Sequence, residues 1–187
     1  MKAALRRRIG TPRVPAAVSS AIQRRLMAED WWAAAFAVGL YRATPFEPAT
    51  DLLLADRLAA GALVAVPASA GRHYRWGGVE ADTRWRKGRY GILEPEPARP
   101  VSAGCLQIAV VPGVAFDLQG GRLGHGGGHL DRLLSQTGGL LVGLCVEARL
   151  LKTVPLEPHD VPVDVVVTEK RIRFAPSAEA KLERLTG

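Results

Sequence analysis

Residues 33–67, AAAFAVGLYRATPFEPATDLLLADRLAAGALVAVP, decide the fold. The run 33–41 is apolar and ends at a turn holding Pro45 and Pro48, as a strand buried on both faces would. Thr50 stands at an N-cap position, 51–60 repeats Leu and Ala at helical spacing, and Gly61 supplies a stop. The apolar run 62–67 reads as a second buried strand. Strand, helix and strand in this order predict a parallel α/β unit with a right-handed crossover.

Working outward, residues 1–9 read as a short basic helix, and a second helix follows Pro15 with Ala17, Ile22 and Leu26 on one face. Downstream, 73–79 reads as a strand centred on Trp76, and 80–104 as a long polar connection. The apolar run 106–112 reads as a strand ending in Pro-Gly. A glycine-rich loop follows, then a helix over 129–136 and buried strands over 140–148 and 163–168. The last of these pairs with 171–174 as a C-terminal hairpin, and 177–185 closes the chain as a helix. The expected architecture is one α/β domain over 1–187, a three-layer, mostly parallel sheet with helices on both faces. Ligands in such sheets gather at the carboxyl ends of the strands.

With 187 residues, 48% of them hydrophobic, the chain has material for one core without staples. Its two cysteines, Cys105 and Cys145, have no metal-ligand spacing, and Cys145 sits in an apolar run as a buried thiol would, which suits a reducing compartment. The N-terminal stretch is basic and broken by Pro12 and Pro15, unlike a secretory signal. No apolar stretch approaches the ~20 residues of a membrane span. A soluble cytoplasmic protein is expected, monomeric or weakly dimeric.

Residues 1–25 contain Lys2, Arg6, Arg7, Arg8, Arg13, Arg24 and Arg25 and no acid, leaving 18 of the 25 bases against 18 acids elsewhere; this accounts for the net charge of +7. Such a segment suits a nucleic-acid grip, a solvated helix face or an anion site for a polyphosphate. With 6% aromatic residues there is no basic aromatic platform for nucleic acid. Trp31 and Trp32 read as core anchors, His73 as a strand-surface residue, and Arg84, Arg86, Lys87 and Arg89 as a solvated basic loop.

The sharpest feature is Gly120-Gly121-Arg122-Leu123-Gly124-His125-Gly126-Gly127-Gly128-His129-Leu130-Asp131, between a strand and a helix. Glycines admit positive φ and close approach of backbone N–H groups to an anion, and the following helix presents its positive end to the same place. Arg122 offers a fork of donors to phosphate oxygens, and Asp131 a hard oxygen ligand to magnesium. The loop matches neither the P-loop nor the dinucleotide fingerprint.

In order along the chain stand Lys2 with Leu5-Arg6, Glu47 with Thr50, Tyr90-Gly91-Ile92 with Glu94-Pro95, Val111-Pro112-Gly113 with Phe116-Asp117, the block 122–131, and Pro155 with His159-Asp160 and Asp164. Together they resemble the 5-formyltetrahydrofolate cyclo-ligase family, whose segments read K-x-x-L-R, E-x-x-T, aromatic-G-I-x-E-P, V-P-G-x-x-F-D, R-L-G-x-G-x-G-Y-Y-D and P-x-x-x-H-D-x-x-x-D. The resemblance spans nearly the whole chain and implies a NagB/RpiA/CoA-transferase-like fold. It implies cyclisation of 5-formyltetrahydrofolate to 5,10-methenyltetrahydrofolate, driven by ATP with magnesium and releasing ADP and phosphate.

By the same resemblance Lys2, Arg6, Arg122, Leu123, Gly124, His125, Gly126, Gly127, Gly128, His129 and Leu130 bind ATP. Arg6, Glu47, Tyr90, His125, Gly126, Gly127, Gly128 and His129 contact the reduced folate. Arg122 and Glu47 are catalytic, and Asp131 and Asp160 hold Mg2+, with Asp164 the next candidate. The chain departs from the family at His125, His129 and Leu130, where Tyr is usual, and at Arg149, where Gln is usual. A relative that binds nucleotide or folate without this reaction, or acts on another substrate, is the alternative.

Overall fold

The structure, a computed structural model, describes residues 1–10 and 12–186, and the side chains of Arg89 and His129 lie outside the described residues. Helices α1 (Lys2–Ile9), α2 (Ala16–Met27) and α3 (Asp30–Ala33) precede β1 (Ala37–Gly39), and α4 (Asp51–Ala59) crosses to β2 (Leu63–Ala70). The chain turns back in β3 (His73–Val79), forms the hairpin β4 (Arg84–Lys87) and β5 (Leu93–Glu96), and adds β6 (Pro100–Val101). After β7 (Ile108–Val111) come the short strands β8 (Ala115–Asp117) and β9 (Arg122–Leu123), then α5 (His129–Leu134) and β10 (Leu140–Leu144). The remaining elements are β11 (Leu150–Leu151), β12 (Val165–Val167), β13 (Ile172–Phe174) and α6 (Glu179–Thr186).

The main sheet has the order β13-β12-β10-β7-β1-β2-β3-β6. Neighbours from β12 to β2 are parallel, as the strand–helix–strand reading requires, with Ala37 opposite Leu63 and Leu140 opposite Ile108. The edges are antiparallel: β13 on β12 as the expected hairpin, and β3 on β2. Alternation divides the strands between two cores. Ile108, Val110, Leu140 and Val142 face one core with Ile22, Leu26, Trp32 and Leu53 of the helices; Ala109, Val111 and Leu141 face the other with Trp76, Phe116, Leu133 and Leu134. Ile22 and Leu26, one helical turn apart, are each fully buried and contribute about 1.5–3 kcal/mol apiece. Among the described residues no helix is long and apolar enough to cross a membrane.

Several sequence expectations change. Helices α2, α3, α4 and α6 pack on the first face, but of the helices α5 alone packs on the second, where a small sheet β11-β8-β9 adds Phe116 to the cover. The strand expected over 33–41 is confined to Ala37–Gly39, because Asp30–Ala33 is helical; Trp31 and Trp32 are buried as expected. Thr50 occupies the N-cap of α4, but its hydroxyl donates to the Tyr41 carbonyl instead of capping. The connection 80–104 is not irregular. Arg84 pairs with Glu96 across a hairpin, and buried Glu94 accepts from Ser69 N at 3.0 Å, Ser69 Oγ at 2.6 Å and Arg86 at 3.1 Å. The supposed basic loop is therefore a strand, and one of its arginines is structural.

Candidate active site

The parallel strands release their chains on one side of the sheet. β1 leads to the Glu47 turn, β7 to β8, β9 and the glycine loop, and β10 to Arg149. The β8–β9 turn is organised by Asp117, whose Oδ1 accepts from Gln119 N at 3.0 Å and Gly121 N at 2.7 Å while Oδ2 accepts from Val154 N at 2.7 Å. A Cβ on Gly120, at φ 88°, would meet the Val163 carbonyl oxygen at 2.0 Å, so only glycine closes this turn. Asp117 is thus a scaffold that the aspartate–glycine spacing alone suggests.

Helix α1 lies on the small sheet through Leu5 and Ile9, which pack against Val114, Leu123 and Val154. This docking carries Arg6 to the glycine loop and Lys2, four residues before it, to the 157–160 segment. Arg6 Nε donates to the Gly124 carbonyl at 2.7 Å, and a Cβ on Gly126 would stand 3.3 Å from the Arg6 guanidinium. Lys2 pairs with Asp160 and lies 3.5 Å from Glu157.

Arg122 is 5% exposed. It donates to Asp131 Oδ1, and at 3.4 Å to the Pro112 carbonyl, while its buried Nε meets no acceptor among the described residues. An orphan buried donor costs about 1–3 kcal/mol until an acceptor arrives. Glycines let this side chain lie under the loop: a Cβ on Gly124 would come within 3.0 Å of Arg122 Nη1. Gly126 and Gly128 have φ of 98° and 63°. Helix α5 runs six residues rather than the eight expected, so its dipole is small and adds little toward an anion. Leu123 is fully buried and Leu130 packs against the second core, so their side chains serve packing; His125 is exposed. The expected contacts of the His129 side chain lie outside the described residues.

The carboxylates expected to hold magnesium are each engaged on one oxygen. Asp131 Oδ1 accepts from Arg122 and from Val161 N at 3.2 Å, and Asp160 Oδ2 accepts from Lys2 and from Glu157 N at 2.5 Å. No hydrogen bond among the described residues ends on Asp131 Oδ2 or Asp160 Oδ1. Those oxygens fit a hard cation that takes most of its ligands from phosphate and water, and the described residues contain no closed cluster of three or more ligands. Burial alone would raise the Asp160 pKa, but the Lys2 hydrogen bond, the Glu157 amide and the Lys2 charge outweigh it and hold the carboxyl below its usual range. Asp164, the reserve candidate, is excluded. It is buried and bonded to Leu141 N at 2.8 Å, Ser177 Oγ at 2.6 Å and Lys181 Nζ at 2.6 Å, tying α6 to the sheet.

The Glu47 turn is built differently. Buried Glu47 Oε2 accepts from Thr44 N at 2.9 Å and Thr44 Oγ1 at 2.8 Å, and the Tyr41 hydroxyl donates to the Pro48 carbonyl. Burial first, then the negative fields of Glu47 and Cys145, push the Tyr41 hydroxyl well above its usual pKa, so it remains a donor. Tyr90 stands opposite, 75% exposed and at φ 62°, a left-handed conformation that costs a non-glycine residue of order 1 kcal/mol. Arg42, Thr44, Pro45, Tyr90 and Ile92 line a cleft of about 180 Å³ between the two. A larger hollow of about 380 Å³ beside Phe174 and Leu182 contains none of the expected site residues.

The sequence hides the partners of Arg149. It is buried, and its guanidinium donates to the Phe46 carbonyl at 2.7 Å and to the Pro12 carbonyl.

The chain has recognisable relatives. The model of the 5-formyltetrahydrofolate cyclo-ligase family matches residues 1–169. The "5-formyltetrahydrofolate cyclo-ligase" of Saccharomyces cerevisiae is 39% identical over 89 residues, 43% of this chain and only 42% of that protein. The protein of the same name from Mycolicibacterium smegmatis is 31% identical over 137 residues, 67% of this chain and 69% of its own length. In structure, the Aquifex aeolicus 5,10-methenyltetrahydrofolate synthetase superposes with a TM-score of 0.77 at 32% identity, covering 84% of this chain and 81% of the other. With the family match running through α1, the glycine loop and Asp160 alike, this chain belongs to the 5-formyltetrahydrofolate cyclo-ligase family of enzymes.

Proposed function

We propose that this chain cyclises 5-formyltetrahydrofolate to 5,10-methenyltetrahydrofolate, consuming ATP and releasing ADP and phosphate. The observation that carries the reading is buried Arg122 with its unpartnered Nε, lying under a glycine loop that Arg6 reaches from the other end of the sequence, with Lys2 of the same helix paired to Asp160. Three bases around glycines suit a triphosphate. When it binds, Lys2 and Arg122 exchange their carboxylate partners for phosphate oxygens, and Asp160 and Asp131 are freed for the metal. Magnesium, when bound, neutralises charge on the phosphate oxygens.

The formyl oxygen of the folate attacks the γ-phosphorus and the bond to ADP breaks; the neighbouring folate nitrogen then attacks the formyl carbon, phosphate leaves that carbon, and the proton of the nitrogen passes to the departing phosphate. Arg122 and Lys2 hold the phosphoryl group in line, and Glu47, fixed by Thr44, orients the folate near its formyl group. Such a transfer draws its rate from positioning and charge stabilisation. Tyr90 flanks the pterin in this reading. The protein acts as a single unit in the cytoplasm, without nucleic acid or membrane, as a monomer or weak dimer. The test is ATP-dependent growth of the methenyl-folate absorbance from purified protein and 5-formyltetrahydrofolate. Nucleotide binding without that signal favours the alternative of a relative acting on another substrate.

A further inference from the structure

We infer that Arg149 is a positioning residue that sets the two substrate-binding segments in register with each other; this rests on the function proposed above. Arg149 ends the turn Glu147–Arg149, between the central strand β10 and β11. Through its own backbone it belongs to the small sheet, because Leu150 of β11 pairs with Phe116 of β8, whose other neighbour β9 carries Arg122. One nitrogen of its guanidinium holds the Phe46 carbonyl, next to Glu47; the other holds the Pro12 carbonyl, on the connection from α1 to α2. A second bond, Val14 N to the Pro45 carbonyl at 3.0 Å, runs between the same two segments. One rigid fork thus ties together the segment carrying Lys2 and Arg6, the turn carrying Glu47 and the sheet carrying Arg122.

Arg149 is 6% exposed and both its bonds end on backbone carbonyls, so its contribution is geometric. A planar guanidinium holds two carbonyls at a set angle; an ammonium satisfies them without fixing that angle. A displacement of the order of 1 Å between reacting groups lowers turnover by about 10²-fold.

The experiment compares Arg149→Lys and Arg149→Ala with Arg57→Lys. Arg57 is also buried and also bonded to carbonyls, those of Trp32, Ala33 and Ala35, but its helix bears no site residue. Expected for Arg149→Lys is a fall of about tenfold or more in kcat/KM for both ATP and folate, and weaker binding of an unreactive ATP analogue with magnesium in calorimetry. Added guanidinium should restore Arg149→Ala, while Arg57→Lys lowers Tm and leaves the constants alone. Unchanged constants in Arg149→Lys, a change confined to one substrate, or an equal change in Arg57→Lys overturns the inference. If the native protein binds nucleotide but does not turn over the folate, the proposed reaction fails instead, and the calorimetry still decides the role of Arg149.

Discussion

The cation side of the site and the Glu47 side lie at the same end of the sheet and are held by different kinds of bond. On the cation side, Lys2 and Arg122 rest on the carboxylates of Asp160 and Asp131, and the Arg122 Nε meets no acceptor among the described residues. On the Glu47 side, one carboxylate oxygen accepts from the Thr44 amide and hydroxyl and the Tyr41 hydroxyl donates to the Pro48 carbonyl, so the acid is held by neutral donors of its own turn, with the buried Arg42 Nε nearby also lacking an acceptor among the described residues. The ion pairs of the first wall can be exchanged for those of a charged ligand, whereas the neutral bonds of the second fix a carboxylate in place.

The largest expected effect tests the cation side. Arg122→Ala should lower ATP affinity by about 10- to 150-fold, the equivalent of about 1.5–3 kcal/mol for a charge-assisted contact. Titration calorimetry that finds native affinity would remove the distinction between the two sides. Next comes the Glu47 side: Glu47→Gln should lower kcat/KM for the folate by about tenfold, since one well-placed contact is worth about 1.4 kcal/mol, while leaving the nucleotide dissociation constant unchanged. A shift in nucleotide affinity of similar size would mean that the walls are not independent.

A smaller effect has a change of sign. Asp160→Asn should weaken magnesium-dependent ATP binding several-fold and strengthen binding of ATP in the presence of a chelator, because Lys2 is released from its partner. Weakening under both conditions would show that Asp160 only supports the loop. The same pair gives a pH dependence. Because the Asp160 pKa is lowered in the folded chain, its stabilisation is present above the usual carboxylate value of about 3.9 and is lost as pH falls through the lower folded value. Acid unfolding of Asp160→Asn should therefore be shallower, by an amount of order 0.5–1 kcal/mol. The smallest effect concerns the two thiols. Burial, above all, pushes the Cys145 thiol to about 12, and Cys105 is exposed, so one thiol should react with a disulfide reagent at about pH 8 before unfolding and two after.

The legible parts were those written in periodicity or in glycine. The β1–α4–β2 unit follows from apolar runs around a helical repeat, and the loop between β9 and α5 from its run of glycines. Arg149 was not legible, because its partners are backbone carbonyls, and a carbonyl leaves no trace in the identity of Phe46 or Pro12. The 84–96 hairpin was missed for a related reason. Its stability rests on Glu94 buried against Ser69 and Arg86, polar residues that in sequence mimic a solvated loop. Asp164 shows the opposite case: its place in the family's P-x-x-x-H-D-x-x-x-D segment makes it a reserve ligand, and only the docking of Ser177 and Lys181 shows it to be a buried anchor.

The attachment of α1 also bears on how the protein is made. Lys2 meets Asp160 across 158 positions, and Arg6 meets Gly124 across 118. On the ribosome these first residues emerge well before any partner exists, and they must wait, basic and unpaired, until nearly the whole chain has been synthesised. The site is expected to be the last part of the molecule to form. Trypsin should find Arg7 and Arg8 throughout synthesis, and the segment should become resistant only once the strand beyond Asp160 has joined the sheet.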